Sequence, residues 1–419
     1  MTKILIVGGG FAGVWSAASA AKVRQERGLS EKDLQITVID AGDDLVIRPR
    51  LYEAAPDRMR VPLDRVLGPV GVRRVTGTVT GIDTGARQVT AVRRDGTPVV
   101  LDYDRLVLAS GSQVVRPALP GAEHLFDVDT LAGAARLEAH LLRLPEPITG
   151  QRSGEPGRFT AVVVGAGFTG LEIATELVGR LREVAPAGEV RVVLVERLDA
   201  VGPELGEGPR PAIEKALADL GVEVRLGVSV LEVAHDEVRL SDETVIPAAT
   251  VVWTAGMTAS PLTSFVPGER DRLGRLDVDE YLRVRGVEHV YAAGDTAAAV
   301  SPDEGRVVMQ SCQHALPQGK YAGHNVAADV LGEPLVRFEP APYVTCLALG
   351  PAGAVVTSGW DRDVQLTEQA AAELKHTINQ VWIYPPVDDP AALLAQAGPQ
   401  GVVREYELGA EPAESVPAS

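Results

Sequence analysis

Two stretches of the chain share one order of apolar and polar positions. The first begins with an apolar run at 3–7, continues through a glycine-rich turn, and predicts a helix of small residues from Ala12 to about Arg24. A further apolar run at 36–39 ends in Asp40. Short apolar strands that alternate with helices are typical of parallel α/β sheets. The pattern therefore predicts a strand–turn–helix–strand unit at the start of the chain.

The same succession returns in the middle of the chain. An apolar run at 160–164 precedes a second glycine turn, a helix predicted through Leu177, and an apolar run at 191–195 that ends in Glu196. A single glycine turn is a weak indication of nucleotide binding, whereas two complete units with a terminal acid are a strong one. No other internal repeat is apparent.

The residue types in these units point to phosphate and ribose recognition. In the first turn Gly8 permits the tight bend, Gly10 lets backbone approach a pyrophosphate, and Gly13 allows close helix–strand packing. The following helix N-terminus offers free N–H groups to phosphate oxygens. The carboxylates of Asp40 and Glu196 can accept hydrogen bonds from ribose hydroxyls. We therefore predict that one chain binds two adenine dinucleotides.

The remaining pattern divides the chain. Runs at 75–83 and 87–102 predict meandering strands, and residues 288–296 predict a strand that returns to the first unit. A polar linker, Pro145 to Arg158, precedes the second unit, and short strands from about Phe338 lead to a helix near Glu368–Gln380. The predicted domains are 1–117 with 280–336, 118–279, and 337–419 with an acidic Pro/Ala-rich tail whose charged residues are Asp388, Asp389, Arg404, Glu405, Glu407, Glu411 and Glu414.

Composition excludes several classes of function. A chain of 419 residues with 45% hydrophobic residues can form two or three cores. The formal charge of −17 argues against nucleic-acid binding, and no apolar run is long enough to span a membrane. The cysteines, Cys312 and Cys346, are too few for a disulfide framework and lack metal-ligand spacing. We expect a soluble cytoplasmic protein with no metal site and no stable membrane association.

Several motifs occur in the order seen in two-dinucleotide-binding-domain flavoproteins, and the chain most resembles the type II NADH dehydrogenases. The likeness covers roughly residues 1–360. Its landmarks are GGGFAG at 8–13, IRPRLYEAA at 47–55, LDYDRLVLASGS at 101–112, GAGFTGLEIATEL at 165–177, VVWTAGMTASPL at 251–262, YAAGDT at 291–296 and QGKYAGHN at 318–325. The resemblance implies two Rossmann-like domains of the glutathione-reductase type and a small C-terminal α+β domain that faces the flavin.

The resemblance also implies which residues hold each cofactor. FAD would lie on the first unit, with Asp295 at its ribityl chain and Arg48 and Pro49 beside its isoalloxazine ring. The FAD set is Gly8, Gly10, Phe11, Ala12, Gly13, Asp40, Arg48, Pro49, Ala109, Gly111, Gly294 and Asp295. NADH would lie on the second unit, and its set is Gly165, Gly167, Phe168, Gly170, Glu196 and Gly256. NADPH is less favoured because Glu196 would repel a 2′-phosphate, although Arg197 lies beside it.

The expected reaction is hydride transfer from nicotinamide C4 to flavin N5, followed by transfer of two electrons to a small acceptor. A helix predicted after Gln318 would direct its N-terminus at negative charge on the reduced flavin. Glu172 corresponds in the resemblance to a carboxylate near the nicotinamide; it positions the carboxamide or is merely an acid at a helix start. For Glu176 the second interpretation is favoured.

The acceptor side departs from the family pattern of two separated glutamines at a quinone entrance. Gln313 fits the first and is a candidate catalytic residue, whereas Pro317 occupies the second position and lacks both a side-chain donor and an N–H. A membrane quinone is therefore less favoured than a soluble quinone or another small oxidant. Cys312 and His314 lie in the same run, and a buried thiol and a hydrogen-bonded imidazole are the favoured interpretations.

Other classes remain as alternatives or are excluded by missing motifs. A redox-controlled interaction protein like the apoptosis-inducing-factor relatives, and a soluble tailoring oxidoreductase acting on an organic substrate, both fit the two units. A homodimer is compatible with either. Disulfide reductases and sulfide:quinone oxidoreductases need cysteines in other places, and two-fingerprint monooxygenases carry an F-x-G-x-x-x-H motif that this chain lacks.

Overall fold

The computed structural model describes residues 1–145, 156–186, 189–302 and 305–399. The chain is a mixed α/β protein built on two parallel sheets, which confirms the predicted fold class. The α-helices of the described residues are Phe11–Glu26 (α1), Leu63–Leu67 (α2), Leu131–Arg143 (α3), Phe168–Val184 (α4), Arg210–Leu220 (α5), Cys312–Leu331 (α6), Glu368–Thr377 (α7) and Pro390–Gln396 (α8).

The first parallel sheet contains the first glycine unit. From edge to edge its strands are Val290–Ala292, Arg105–Leu108, Thr2–Val7, Leu34–Asp40 and Arg73–Thr76. The central strand is buried on both faces from Ile4 to Val7, as parallel strands covered by helices on both sides require. Val7 pairs with Ile39 on one side and Leu108 on the other, so the glycine turn, Asp40 and Ala109 meet at one edge of the sheet.

The second parallel sheet repeats this arrangement around the second unit. Its strands, in order, are Glu223–Arg225, Arg191–Val195, Thr160–Val164 and Thr250–Trp253. Val164 pairs with both Val195 and Trp253. The second glycine turn therefore meets Glu196 and the segment after Trp253 at one sheet edge.

The described residues also form six smaller sheets, all antiparallel except one. Three-stranded sheets are formed by Thr78–Asp83, Gln88–Val92 and Pro98–Asp102; by Val230–Val233, Glu237–Leu240 and Val245–Pro247; and by Val344–Ala348, Ala354–Ser358 and Asp363–Thr367. Two-stranded antiparallel pairs join Asp44–Val46 to Arg60–Pro62 and Ser112–Val114 to Met257–Ala259, and a two-stranded parallel pair joins Leu276–Asp277 to Ala297–Ala298. The meander predicted over 75–102 is thus present, and the third sheet with α7 follows the pattern predicted after Phe338.

Helices α1 and α6 pack closely in the first half of the molecule. Helix α1 is buried on nearly all sides as far as Arg24, which fits its small side chains. A side chain could not be added to Gly323 of α6, because its Cβ would lie 2.1 Å from the Ser16 carbonyl oxygen of α1. Backbone-to-backbone contact of this kind fixes the position of α6 against the first glycine unit.

Two sequence-based expectations about helices are wrong. Helix α6 begins at Cys312 rather than after Gln318, because Ser311 caps it and Pro317 is accommodated in its second turn. Within the segment predicted as a Pro-rich tail, α8 forms from Pro390, with the Asp389 side chain as its cap.

Parts of the predicted linker and tail lie outside the described residues. These are residues 146–155 of the linker and, in the tail, the charged residues Arg404, Glu405, Glu407, Glu411 and Glu414. The domain boundaries remain a prediction, although strand Val290–Ala292 does join the sheet that contains Thr2–Val7. In the described part of the chain, no helix is both long and apolar enough to cross a bilayer.

Candidate functional site

The two glycine turns open on a single cleft of about 1350 Å³. Gly10 and Phe11 of the first turn line it, as do Gly167 and Phe168 of the second. Pockets for one drug-sized ligand typically measure about 300–1,000 Å³, so this cleft has room for more than one such molecule.

The first turn separates packing glycines from a glycine that faces open space. Gly8 has a φ of +114°, and a Cβ there would lie 2.2 Å from the Ala109 carbonyl oxygen. A Cβ on Gly13 would lie 1.8 Å from the Gly8 carbonyl oxygen, whereas one on Gly10 would meet nothing within 4 Å. Gly8 and Gly13 therefore allow the turn and helix to pack, and Gly10 leaves the cleft open at the start of α1.

The second turn has the same division of roles. A Cβ on Gly170 would lie 1.7 Å from the Gly165 carbonyl oxygen. One on Gly167 would meet only the Glu204 carboxylate, at 3.8 Å. The open position again lies at the N-terminus of the following helix, here α4.

The two acidic residues are held in matching ways. Asp40 accepts hydrogen bonds from the backbone N–H groups of Gly9 and Gly42, both at 2.7 Å. Glu196 accepts from the N–H groups of Ala166 at 2.8 Å and Leu198 at 3.0 Å. Each carboxylate oxygen accepts one of these bonds and can accept a second hydrogen bond from another donor. Both residues line the cleft, as a ribose-binding acid must.

A polar network crosses the middle of the cleft. Arg48 donates from Nη1 to the Ser112 hydroxyl at 2.8 Å and forms an ion pair with Asp129. Ser112 in turn donates to Asp295 at 2.6 Å, and Arg48 Nη1 lies 3.6 Å from the same carboxylate. Arg48 and Asp295, predicted from separate motifs, are therefore neighbours.

The N-terminus of α6 also reaches the cleft. Cys312 and Gln313, its first two residues, line the wall. Gln318 lies deeper, where its Oε1 accepts a 2.8 Å hydrogen bond from the Gly294 N–H. Pro317 removes the N–H that would bond to the Gln313 carbonyl in a regular helix. The positive N-terminal end of α6 therefore lies near the cleft, as expected, but this end is at Cys312 and not after Gln318.

A buried ion pair joins the second unit to the C-terminal helix α7. Lys375 Nζ lies 2.9 Å from Glu172 Oε1, which also accepts from the Ala348 N–H at 3.2 Å. Burial raises the pKa of Glu172, even though Lys375 acts in the opposite direction. Burial is the largest single influence on Lys375 and disfavours its charged form, but the interactions with Glu172, Tyr52 and Cys346 together outweigh burial and raise the pKa of Lys375. The proton of the pair therefore rests on Lys375.

Sequence reasoning missed the C-terminal wall. After α7 the backbone forms a π-helical turn, Ile378–Trp382, a geometry often found at functional sites. In it Asn379 donates to the Tyr52 hydroxyl at 3.3 Å and to Glu53 at 3.2 Å. Lys375, Asn379 and Tyr52 all line the cleft. Tyr52 lies within the IRPRLYEAA landmark, but Lys375 and Asn379 lie in no motif, so only the folded chain reveals those two.

Both cysteines line the same cleft and are free thiols. Burial raises the pKa of Cys312 to about 11 and that of Cys346 to about 11. Because the reactive form of cysteine is the thiolate, both groups are inert near neutral pH. Burial likewise lowers the pKa of His314 to about 4, so its imidazole is neutral.

The structure brings nearly all of the sequence-predicted residues to one place. Those that line the cleft are Gly10, Phe11, Ala12, Asp40, Arg48, Pro49, Ala109, Gly111, Gly165, Gly167, Phe168, Glu172, Glu196, Gly256, Gly294, Asp295 and Gln313. The other three, Gly8, Gly13 and Gly170, take part in the backbone packing behind the two turns.

Comparison with known proteins agrees with this arrangement. Residues 2–319 match the family model described as pyridine nucleotide-disulphide oxidoreductase. The chain is 48% identical over 406 residues to an NADH dehydrogenase-like protein of Mycobacterium tuberculosis, covering 96% of this chain and 99% of the relative. It is 29% identical over 365 residues to a demethylphylloquinone reductase of Synechocystis, covering 85% and 86%.

A solved structure of NDH2 from Plasmodium falciparum in complex with NADH has the same fold. The TM-score is 0.75 at 12% sequence identity, over 91% of this chain and 95% of that one. From the family match and the close relative, the chain is an oxidoreductase that belongs to the pyridine nucleotide-disulphide oxidoreductase family.

Proposed function

We propose that the protein is an FAD-dependent NADH:acceptor oxidoreductase that reduces a quinone-like or other small acceptor. The observation that carries the proposal is the convergence of two matching dinucleotide turns on one cleft. The names of relatives support it, among them a type II NADH:quinone oxidoreductase of Staphylococcus saprophyticus that is 26% identical over 395 residues, covering 90% of this chain and 94% of the relative.

The residues present fit both cofactors. The open space at Gly10 suits a pyrophosphate and the carboxylate of Asp40 suits the adenosine ribose, so FAD is assigned to the first unit. By the same reasoning, Gly167 and Glu196 suit NADH on the second unit. When both are bound, the two cofactors would supply hydride transfer between them and two-electron transfer to the acceptor.

NADH is favoured over NADPH because of Glu196. Glu196 is 7% exposed and its carboxylate is held by two backbone N–H groups, so it cannot easily turn away from a 2′-phosphate. Arg197 lines the cleft next to it. Its exposed guanidinium offsets only part of the repulsion, since exposed charges are screened.

Lys375 and Glu172 supply the proton chemistry in this proposal. Reduction of a quinone to a hydroquinone takes up two protons, and Lys375 Nζ holds one within 2.9 Å of Glu172 Oε1. On the same wall the Tyr52 hydroxyl accepts a hydrogen bond from the Asn379 amide and can donate its own hydrogen to an acceptor carbonyl oxygen. Gln313, from α6, adds another amide.

Anaerobic titration of the purified holoprotein with NADH and with NADPH tests the proposal. We expect NADH to bleach the flavin absorbance within the time of mixing, and NADPH to do so with much lower efficiency. Soluble quinones, ferricyanide and oxygen are then compared as oxidants of the reduced protein. A colourless protein, or a flavin that neither nucleotide bleaches, contradicts the proposal.

The same experiment separates an enzyme from a redox-controlled interaction protein. Rapid reoxidation by a quinone and sustained turnover support the enzyme. A flavin that stays reduced in air, together with a change of oligomeric state on reduction, supports the interaction protein instead.

A further inference from the structure

The two glycine turns differ in what stands over their second glycine. In the first unit a Cβ on Gly10 would meet no atom of the described chain within 4 Å. In the second unit a Cβ on Gly167 would lie 3.8 Å from Oε2 of Glu204. The second glycine of such a turn is the place where the backbone approaches a pyrophosphate. The Glu204 carboxylate therefore lies against the position that a phosphate group would take.

The backbone of Glu204 is fixed beside the second turn. Its neighbours Val201 and Leu205 are buried, with 2% and 1% exposure. The Gly202 N–H donates to the Ala166 carbonyl oxygen at 3.0 Å, and Ala166 is part of the glycine turn itself. The Glu204 side chain can rotate about its own bonds, but its Cα stays next to the turn.

The charge of the Glu204 carboxylate is not neutralised by a partner. In the part of the chain that the structure describes it forms no ion pair, and Arg362 Nη2 donates to the Glu204 carbonyl oxygen at 3.4 Å rather than to the carboxylate. The side chain is exposed and lines the cleft. The N-terminus of α4 attracts a carboxylate and a phosphate for the same reason, so the two compete for one positive position.

We propose that Glu204 is a specificity-determining residue of the second dinucleotide site, where its carboxylate opposes the pyrophosphate and keeps the bound nucleotide exchangeable. The inference rests on the proposed function, which assigns NADH to this unit. Like charges placed side by side weaken binding and discriminate between partners. In the described chain no acid stands at the matching position over Gly10, which suits a dinucleotide that stays bound.

The same repulsion selects between nucleotides. A dinucleotide offsets it through contacts along the whole cleft, whereas ADP is shorter and its terminal phosphate adds negative charge. Neutralising Glu204 should therefore improve the binding of ADP more than that of NAD⁺.

The test is isothermal titration calorimetry of the oxidised holoprotein with NAD⁺ and with ADP, neither of which reduces the flavin. Glu204→Gln keeps the shape of the side chain and removes its charge. At about 0.01 M salt, where the Debye length is about 30 Å, we expect this variant to bind NAD⁺ at least about fivefold more tightly than the parent. That factor is the effect of one pair of like charges about 4 Å apart even at the dielectric constant of water. The gain for ADP should be larger.

A control variant and the salt concentration separate charge from shape. Glu207 is exposed on the same loop and is not among the residues that line the cleft, so Glu207→Gln should change the affinity by less than about twofold. At 1 M salt the Debye length falls to about 3 Å, and the gain from Glu204→Gln should largely disappear. Relief of a steric obstruction would persist at high salt.

Equal or weaker NAD⁺ binding by Glu204→Gln overturns the proposal, and weaker binding would mean that the carboxylate accepts a hydrogen bond from the nucleotide. A gain that survives 1 M salt, or that Glu207→Gln matches, overturns it as well. Flavin bleaching by NADH without a gain in Glu204→Gln overturns only this inference. A salt-dependent gain in a protein whose flavin is not bleached overturns only the proposed function.

Discussion

Glu172 and Lys375 are the residues on which the C-terminal wall of the cleft depends most. Their side chains are only 10% and 13% exposed, and they connect helix α4 to helix α7. Taking two charges out of water is unfavourable unless each keeps its partner. The pair is therefore more informative about function than about stability, because a well-packed apolar pair could hold the same helices together.

Removal of Lys375 alone should be strongly destabilising. Lys375→Met leaves the Glu172 carboxylate buried without its cation, and we expect a loss of about 3–5 kcal/mol in the free energy of unfolding at pH 8. The folded-state pKa of Glu172 is raised, so the penalty should shrink as the pH falls and the carboxyl takes up a proton. Urea unfolding at pH 8 and pH 5 measures both effects.

Lys215→Met is the matched control, since Lys215 pairs with Asp219 at 2.7 Å on the surface with 64% and 57% exposure. Such pairs contribute at most about 1 kcal/mol. Equal losses in the two variants, or a Lys375→Met loss that does not depend on pH, would contradict the assignment.

The cleft thiols should resist alkylation at neutral pH. Burial raises the pKa of Cys312 and Cys346 to about 11, so the thiolate fraction at pH 8 is roughly 10²-fold below that of an ordinary cysteine. Iodoacetamide should therefore react slowly at pH 8 and faster as the pH approaches 11, whereas urea-unfolded protein should react at the ordinary rate. A reaction midpoint near pH 8.5 in the folded protein would refute this.

At the residue scale, sequence reasoning reaches only side chains with a local signature. Gly10 and Glu196 are readable because turn, helix dipole and acid follow one another along a single unit. Lys375 is not, since its partner Glu172 is distant in sequence and its own helix looks like any solvated one. Gln313 and Arg48 were readable only through the family resemblance, and their roles remain predictions.

At the scale of elements, the contact between α1 and α6 determines where the cleft ends. The two helices approach so closely that Gly319 and Gly323 both face the backbone of α1, with Cβ positions 2.5 Å from the Ala12 carbonyl oxygen and 2.1 Å from that of Ser16. Sequence analysis predicted both helices but set the start of α6 too late, because Pro317 reads as a helix breaker. Capping by Ser311 and packing against α1 outweigh that local preference.

Gly323→Ala should be destabilising by about 2–3 kcal/mol, because the added methyl forces α6 away from α1. Gly179→Ala is a suitable comparison: Gly179 also lies inside a helix, α4, and a Cβ there would meet only the Pro351 side chain, at 3.9 Å. That variant should be neutral or more stable by up to about 1 kcal/mol. Urea unfolding of both variants measures the difference, and a Gly323→Ala protein as stable as the parent would contradict the packing argument.

At the scale of the whole molecule, two sheets present their carboxyl ends to one cleft. Strand registers bring Asp40 and Ala109 to the first turn and Glu196 to the second. Composition and periodicity predict both sheets, because βα units specify parallel neighbours. The joining of the sheets by Ser112–Val114 and Met257–Ala259 was not predictable, since such short strands carry too few residues for a period-2 pattern.

The stability of the whole molecule should fall on acidification through its buried histidines. Burial lowers the pKa of His314 from 6.5 to about 4, and that of His140 likewise to about 4. Each imidazole therefore takes up a proton more readily in the unfolded chain. The resulting stability is present above pH 6.5 and is lost as the pH falls toward 4. For His314, which is 4% exposed, the loss amounts to about 3 kcal/mol.

His314→Gln should flatten this part of the stability–pH profile without abolishing it, because His140 still titrates. The measurement is the free energy of unfolding in urea at several pH values between 7 and 4. Loss of the ring stack on Tyr343 lowers the free energy of unfolding at every pH, so the slope of the profile is compared rather than its level. His376→Gln, on the exposed face of α7, should leave the slope of the parent protein unchanged. A His314→Gln profile as steep as the parent's would mean that His314 takes up a proton as readily in the folded protein as in the unfolded chain. That result would contradict the lowered pKa of His314.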